Sequence, residues 1–248
     1  PMNRFILALS RACFEHVLEE KWLLAPSRRV GGQWLDQVAR GGQAVVNTRL
    51  KTLKGLAIEL AAPEMAKTGV VPVPDGGAVI LVERVFTELR SSFAYLGALE
   101  PGARTSETLY RSIRSLRLAG IDPADLCDAN FEAAAKGREI LEVLKAYVKK
   151  LHQANLADPA DVLRLAASRL RSDPDAIPAG ALVLIPASGE WKGLEKAIIE
   201  AIPAPRRRVL DVDEPALGAL DGHAATRDLD LLRWLRTPAD APGPFGDG

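Results

Sequence analysis

The 248-residue sequence predicts an α/β fold: a parallel sheet flanked by helices, with an all-helical subdomain inserted into it. Three observations lead there. The strongest strand candidates, Trp22-Leu23-Leu24-Ala25 and Leu182-Val183-Leu184-Ile185, are single apolar runs rather than alternating ones, as in strands covered on both faces. They sit at opposite ends of the chain, each followed by a helix-like pattern. The stretch between them is almost wholly helical in its periodicity.

The elements follow in order. Phe5, Leu9, Cys13, Val17 and Leu18 recur near helical spacing, although the very start also admits a short strand. The run Trp22–Ala25 ends at Pro26-Ser27, which reads as a strand followed by the cap of a helix over 28–40. Ala44-Val45-Val46-Asn47 predicts a second strand, and Thr52 a cap for a helix through Leu60. Pro63, Pro72, Pro74, Gly76 and Gly77 predict a loop over 63–77. Helices are expected over 78–95, from Thr105-Ser106 with Leu109, Ile113 and Leu116 on one face, and from Asn130 to His152. Asp158-Pro159 then supplies an N-cap with proline in the first helical position. Asp-Pro-Ala-Asp occurs at both 122–125 and 158–161 and reads as two similar helix starts rather than a repeat. Pro186 stops the strand 182–185, a helix spans Trp191–Ile202, and Arg208–Val212 is the last strand. The division is 1–74 and 176–236 for the two parts of the α/β core, 75–175 for the helical insertion, and 237–248, rich in Pro and Gly, for a disordered tail or a linker to a further C-terminal region.

Composition narrows the function classes. Hydrophobic residues make up 48%, enough for a sizeable core, and only 5% are aromatic, so that core is chiefly Leu, Val, Ile and Ala. The formal net charge is zero, which removes any global field toward nucleic acid or membrane. The charge is uneven, however. Between Lys21 and Lys54 seven basic residues face the single acid Asp36, for a local net charge of +6. No run approaches eighteen apolar residues, and the start lacks the pattern of a cleaved signal, so the expected location is the cytoplasm. Cys13 and Cys127 are far apart and outside any CxxC pair, which argues against structural zinc. His16, His152 and His223 have no metal-binding or triad spacing, and no metal or cofactor is expected.

The order of elements, together with certain segments, resembles the first motor domain of superfamily-1 helicases, a P-loop NTPase fold. The nearest likeness is to the B subunit of AddAB-type helicase–nucleases and related PD-(D/E)xK nuclease-superfamily proteins. Trp22 to Arg29 resembles the second strand and the DNA-contacting turn after it. Thr48-Arg49-Leu50-Lys51-Thr52-Leu53-Lys54-Gly55-Leu56-Ala57 is similar to the next strand–helix element. Arg111 to Leu126 resembles the inserted helical subdomain, and Ala181 to Asp213 the unit at the Walker B position.

The departures from an active motor are specific. The family's phosphate loop, GxxxxGK[ST], whose amides and lysine hold the phosphates, occurs nowhere in the chain. The Walker B strand should end in acidic metal ligands, yet 182–185 runs into Pro186-Ala187-Ser188. The resemblance therefore implies a helicase-like domain that does not hydrolyse nucleotide and instead contacts single- or double-stranded DNA in double-strand-break repair and recombination. Its expected contacts are Ser27, Arg28, Arg29, Arg49 and Thr52, with a helicase–nuclease partner subunit as a second binding partner. Two alternatives stand beside it. One is a structural module that binds only a partner subunit. The other is a metal-dependent nuclease using Asp175, Glu190 and Lys192, which fit PD…(D/E)xK as a string although Asp175 falls in a proline-rich loop. Trp22 and Trp34 have the chemistry to stack on bases, but core packing is the preferred reading for both. Arg111, Arg114 and Arg117, three apart on one helix, are either an ordinary charged face or a phosphate-tracking stripe.

Overall fold

The computed structural model describes residues 4–127, 131–187, 189 and 191–210. The chain opens with helix α1, Arg4–Glu15, which buries Phe5, Ile6, Leu9, Ala12 and Cys13, spaced to form one stripe. Strand β1, Glu20–Leu24, then enters the centre of the molecule. Helix α2, Arg28–Arg40, starts at the predicted Ser27 cap and returns the chain to β2, Thr48–Lys51. Helix α3 spans Leu53–Thr68 and leads into the short β3, Val71–Pro72.

Next come α4 (Gly77–Leu89), two 3-10 turns at Arg90–Ser92 and Leu96–Ala98, α5 (Ala103–Leu118) and α6 (Ala134–Gln153). The short β4, Leu156–Ala157, precedes α7, Pro159–Ser172. The chain returns to the main sheet through β5 (Ala181–Pro186), α8 (Gly193–Ala201) and β6 (Arg207–Leu210).

The main sheet is parallel throughout, in the order β2-β1-β5-β6, as the apolar runs predicted. Leu23 of β1 lies opposite Leu50 on one side and Leu184 on the other. Alternation along β1 then distributes the helices. Leu23 and Leu184 face α1 and α2, sharing a core with Leu9, Cys13 and Val38. Trp22, Leu24, Val183 and Ile185 face the other way, into a core with α3, α7 and α8 that includes Leu56, Leu60, Leu163, Leu170 and Ile198. A third core, built on Phe86, Ile113, Leu144 and Tyr147, belongs to α4, α5 and α6. Helix α7 lies in the stretch assigned by sequence to the insertion, yet its buried face packs in the sheet-facing core.

Three local expectations are corrected. The second strand is Thr48–Lys51, not 44–47. Asn47 takes a left-handed φ of 52° and turns the chain just ahead of it, and backbone pairing with β1 selects residues of mixed polarity at the sheet edge. The loop expected over 63–77 is helical through Thr68. Pro63 and Glu59, whose carbonyl loses its partner to the missing N–H, are both exposed, so the gap in the hydrogen-bond ladder falls on the solvent side of α3. The helix stops instead at Gly69, whose φ of 70° suits glycine, and Val71-Pro72 pairs with Leu156-Ala157 in a small parallel ladder. Of the two Asp-Pro-Ala-Asp segments, only the second opens an α-helix. The first makes a 3-10 turn over Pro123–Asp125.

A buried ionic cluster fastens the helical layer to the sheet layer. Arg117 of α5 is 1% exposed and donates to Asp158 through Nε (2.6 Å) and Nη2 (3.1 Å), and to Asp161 through Nη2 (2.6 Å). Asp158, the cap of α7, also accepts from the amides of Ala160 and Asp161 and from the Tyr147 hydroxyl at 3.3 Å. Burial by itself would raise the Asp158 carboxyl. The bonds and charge of Arg117 and the two amides outweigh it and hold the group below its ordinary value. Asp161 is pushed the other way, by burial and by the neighbouring Asp158 charge. Burial raises the Tyr147 phenol, with the Asp158 charge acting in the same direction, so it stays a neutral donor. This removes Arg117 from the proposed stripe on α5. Its partner Arg111 is held by Glu107 at 2.6 Å, and Arg114 is exposed.

Among the described residues, no helix is long and apolar enough to cross a membrane. The last strand's expected residues 211–212 and the tail over 237–248 lie outside the described residues.

Candidate nucleic-acid interface

Parallel strands deliver their following loops to one edge of the sheet, and here the helices that follow the neighbouring strands β1 and β2 both begin at that edge, α2 on one face of the sheet and α3 on the other. The amide of Ala25 donates to the Lys51 carbonyl at 2.9 Å, joining the ends of β1 and β2. Ser27 follows two residues later and Thr52 at once. Each is a cap: Ser27 Oγ accepts from the Val30 amide at 3.2 Å, and Thr52 Oγ1 from the Gly55 amide at 3.1 Å. Capping uses one lone pair of each hydroxyl and leaves its O–H free to donate outward.

The first turns of both helices contain no acid. Instead Arg28 and Arg29 open α2 and Lys54 lies in the first turn of α3, all three exposed. This inverts the usual preference, because the helix macrodipole already concentrates positive potential at its N-terminus. Basic side chains there raise that potential further, and an anion relieves it.

Sheet topology adds a second feature. The connection leaving β1 goes to α2 on one face, and the connection leaving β5 goes to α8 on the other. The gap between the ends of β1 and β5 is thus the switch point of the sheet, the position at which open α/β folds bind ligands. Pro26-Ser27-Arg28 follows β1 there. On the other side β5 ends in Pro186, and the amide of the following Ala187 donates to the Leu210 carbonyl at 2.9 Å. Ser188 and Glu190 lie outside the described residues.

The structure brings Ser27, Arg28, Arg29 and Thr52 to the same edge, but not Arg49. The sequence reading set Arg49 just after a strand. It is inside β2, opposite Trp22, about 10 Å of strand short of Thr52. There its Nε meets the Glu20 carboxylate at 2.8 Å. Lys54, which the sequence reading counted only as part of the basic segment, takes its place at the edge. The signal was available: a lysine two residues after a threonine cap must lie in the first helical turn. Lys51 closes β2 beneath this edge, bonded to Glu59 and 5.1 Å from the Trp22 ring centroid.

Both tryptophans are packed. Trp22 is buried and its indole N–H donates to Glu20 at 2.7 Å, while Trp34 lies edge-on to Phe5 with centroids 4.6 Å apart. The nuclease-like string is spread over both edges of the sheet. Asp175 precedes β5 and is engaged by Arg206 at 2.8 Å, whereas Lys192 follows β5, about 20 Å of strand away. Among the described residues, no group of three or more His, Cys, Asp or Glu side chains is placed to hold a metal ion.

No known family model matches the chain, and no curated protein matches it.

Proposed function

We propose that this chain is a cytoplasmic, helicase-like DNA-binding domain that does not itself hydrolyse nucleotide, acting within a double-strand-break repair helicase–nuclease. The observation that carries this reading is the pair of adjacent helix starts at one sheet edge, α2 and α3, whose first turns hold Arg28, Arg29 and Lys54 and no acid. Two helix N-termini, three cations and two hydroxyls able to donate lie along that one edge. A phosphodiester backbone meets all three needs, being anionic, repeating and rich in acceptors. The sequence likeness of these same turns to helicase DNA contacts supports the choice of DNA. The lack of any GxxxxGK[ST] string in the chain supports a passive role. Arg49, held by Glu20 away from that edge, is a secondary contact at most.

The test is a titration of fluorescein-labelled oligo(dT) at two salt concentrations, with the chain and its Arg28→Glu/Arg29→Glu variant. Binding at low salt should weaken as salt rises, with a log–log slope of about −0.7 per phosphate neutralised, and the double reversal should abolish it. Absence of binding at low salt, or an affinity indifferent to salt, would remove the proposal.

A second reading, a module that binds a partner subunit, rests on different residues. Phe14 is 71% exposed and Leu18 85% exposed beside the end of α1, a costly display for an isolated domain. It predicts that Phe14→Ser/Leu18→Ser abolishes capture of a helicase–nuclease partner subunit while DNA binding is unaffected.

A further inference from the structure

The loop between α4 and α5 carries features that packing alone does not require. Glu139 of α6, itself buried, reaches into this loop and accepts three consecutive backbone amides: Ala94 at 2.7 Å, Tyr95 at 2.8 Å and Leu96 at 2.6 Å. Three charge-assisted bonds to successive residues hold the local backbone in one conformation. Burial opposes the carboxylate form of Glu139, but the amides of Leu96, Tyr95 and Ala94 outweigh it and keep the group ionised.

On this pinned backbone the Tyr95 side chain is left 50% exposed, while its neighbours Phe93 and Leu96 turn inward. Arg90 is fixed on the same loop. Its Nε donates to the Gly97 carbonyl at 3.0 Å, which sets the plane of the guanidinium. Its Nη2 makes a long contact, 3.4 Å, with the carboxylate of Glu100, itself 87% exposed. Arg90 lines a depression of about 400 Å³ with Thr87, Ser91, Phe93, Gly97 and Pro101. The depression therefore gathers an oriented cation, two hydroxyl-bearing residues and the apolar Phe93 and Pro101, and Tyr95, outside its lining, stands on the same pinned loop.

We infer that this loop is a second nucleic-acid contact, in which Arg90 binds a backbone phosphate of a single strand and Tyr95 stacks on a base. A pre-set guanidinium with a weak acidic partner suits a phosphate oxygen, and stacking on an exposed aromatic needs no particular base. Pinning of the backbone lowers the ordering cost of both contacts. The inference rests on the DNA-binding reading but uses none of its residues.

The experiment therefore separates the two. Labelled oligo(dT) and an abasic oligomer of equal length are titrated with the full chain, with Tyr95→Ala, with Arg90→Gln and with Arg28→Glu/Arg29→Glu. Tyr95→Ala should weaken oligo(dT) binding about tenfold, within the ~5- to 150-fold range of one lost base–aromatic stack, and leave abasic binding unchanged. Arg90→Gln, which keeps a donor for Gly97, should weaken both oligomers and lower the salt slope by about 0.7. Equal weakening of both oligomers by Tyr95→Ala, or none, overturns the stacking role. If that occurs while the Arg28/Arg29 variant still loses binding, the edge site stands alone. If Tyr95→Ala and Arg90→Gln act as expected and the Arg28/Arg29 variant binds normally, the loop is the site and the edge reading falls. An intact chain that binds neither oligomer ends both.

Discussion

The cluster around Arg117 allows the sharpest test of the fold. Arg117→Ala removes a guanidinium that makes three hydrogen bonds to two carboxylates, in a site where Arg117 and Asp158 side chains are 1% and 4% exposed. Asp158 retains its bonds from the Ala160 and Asp161 amides and Tyr147, but its buried charge loses its counterion, and Asp161 beside it keeps only the longer ion pair to Arg164 at 3.6 Å. Removal of one partner from a buried ion pair costs about 3–5 kcal/mol, and at about 2–4 °C per kcal/mol for a chain of this size the melting temperature should fall on the order of 10 °C. Urea unfolding followed by tryptophan fluorescence measures it. The cost should also depend on pH. Asp158 has a depressed folded value, so its contribution in the wild type is present above the unfolded carboxylate range, about 3.9, and is lost as pH falls toward the folded value. The difference between wild type and Arg117→Ala should therefore be largest near neutrality and shrink below about pH 4. A loss under about 1 kcal/mol at pH 7, or one that does not change with pH, would refute a counterion role for Arg117 and leave only its packing.

Further outcomes follow from other sites. Glu139→Ala should cost about 2 kcal/mol by freeing three loop amides, and hydrogen exchange should show Ala94, Tyr95 and Leu96 losing protection before the rest of the chain. Gly31→Ala should cost about 1–3 kcal/mol in a denaturant melt, because a Cβ there would stand 2.6 Å from Leu50 Cδ2 and 2.9 Å from Ala25 Cβ, where α2 crosses the sheet. Thiol titration should be biphasic. Cys127 is exposed and should react at once, whereas Cys13 is buried, with burial pushing its thiol upward against Thr48 and Lys21, and should react only as the chain unfolds.

Most of the layer order could be read from the residues, and so could the position of the proposed interface. Apolar runs identified β1 and β5 because both faces of each are covered, and no alternation competes with that signal. Ser27, Thr52 and Asp158 marked three helix starts because a cap is a local interaction, closed within three residues. What escaped was set by contacts distant in sequence. β2 lies at the sheet edge, where residues of mixed polarity are selected by pairing with β1 rather than by burial. This is why Ala44–Asn47 looked more strand-like and why Arg49 was placed outside its strand. Pro63 signals a break that the fold does not make, since the gap it leaves in the ladder falls on the exposed side of α3.

The sequence by itself determined the class of the molecule: a parallel sheet between helices, with capped, basic turns after the first two strands. Short-range rules suffice for that. Tertiary structure alone decided which charges are available. Arg111, Arg114 and Arg117 are equivalent in spacing, yet Arg117 is buried against Asp158 across forty-one residues of chain, Arg111 is paired on its own helix and Arg114 is exposed. A charged side chain's surroundings depend on which element crosses above it, and spacing along one helix carries no record of that crossing.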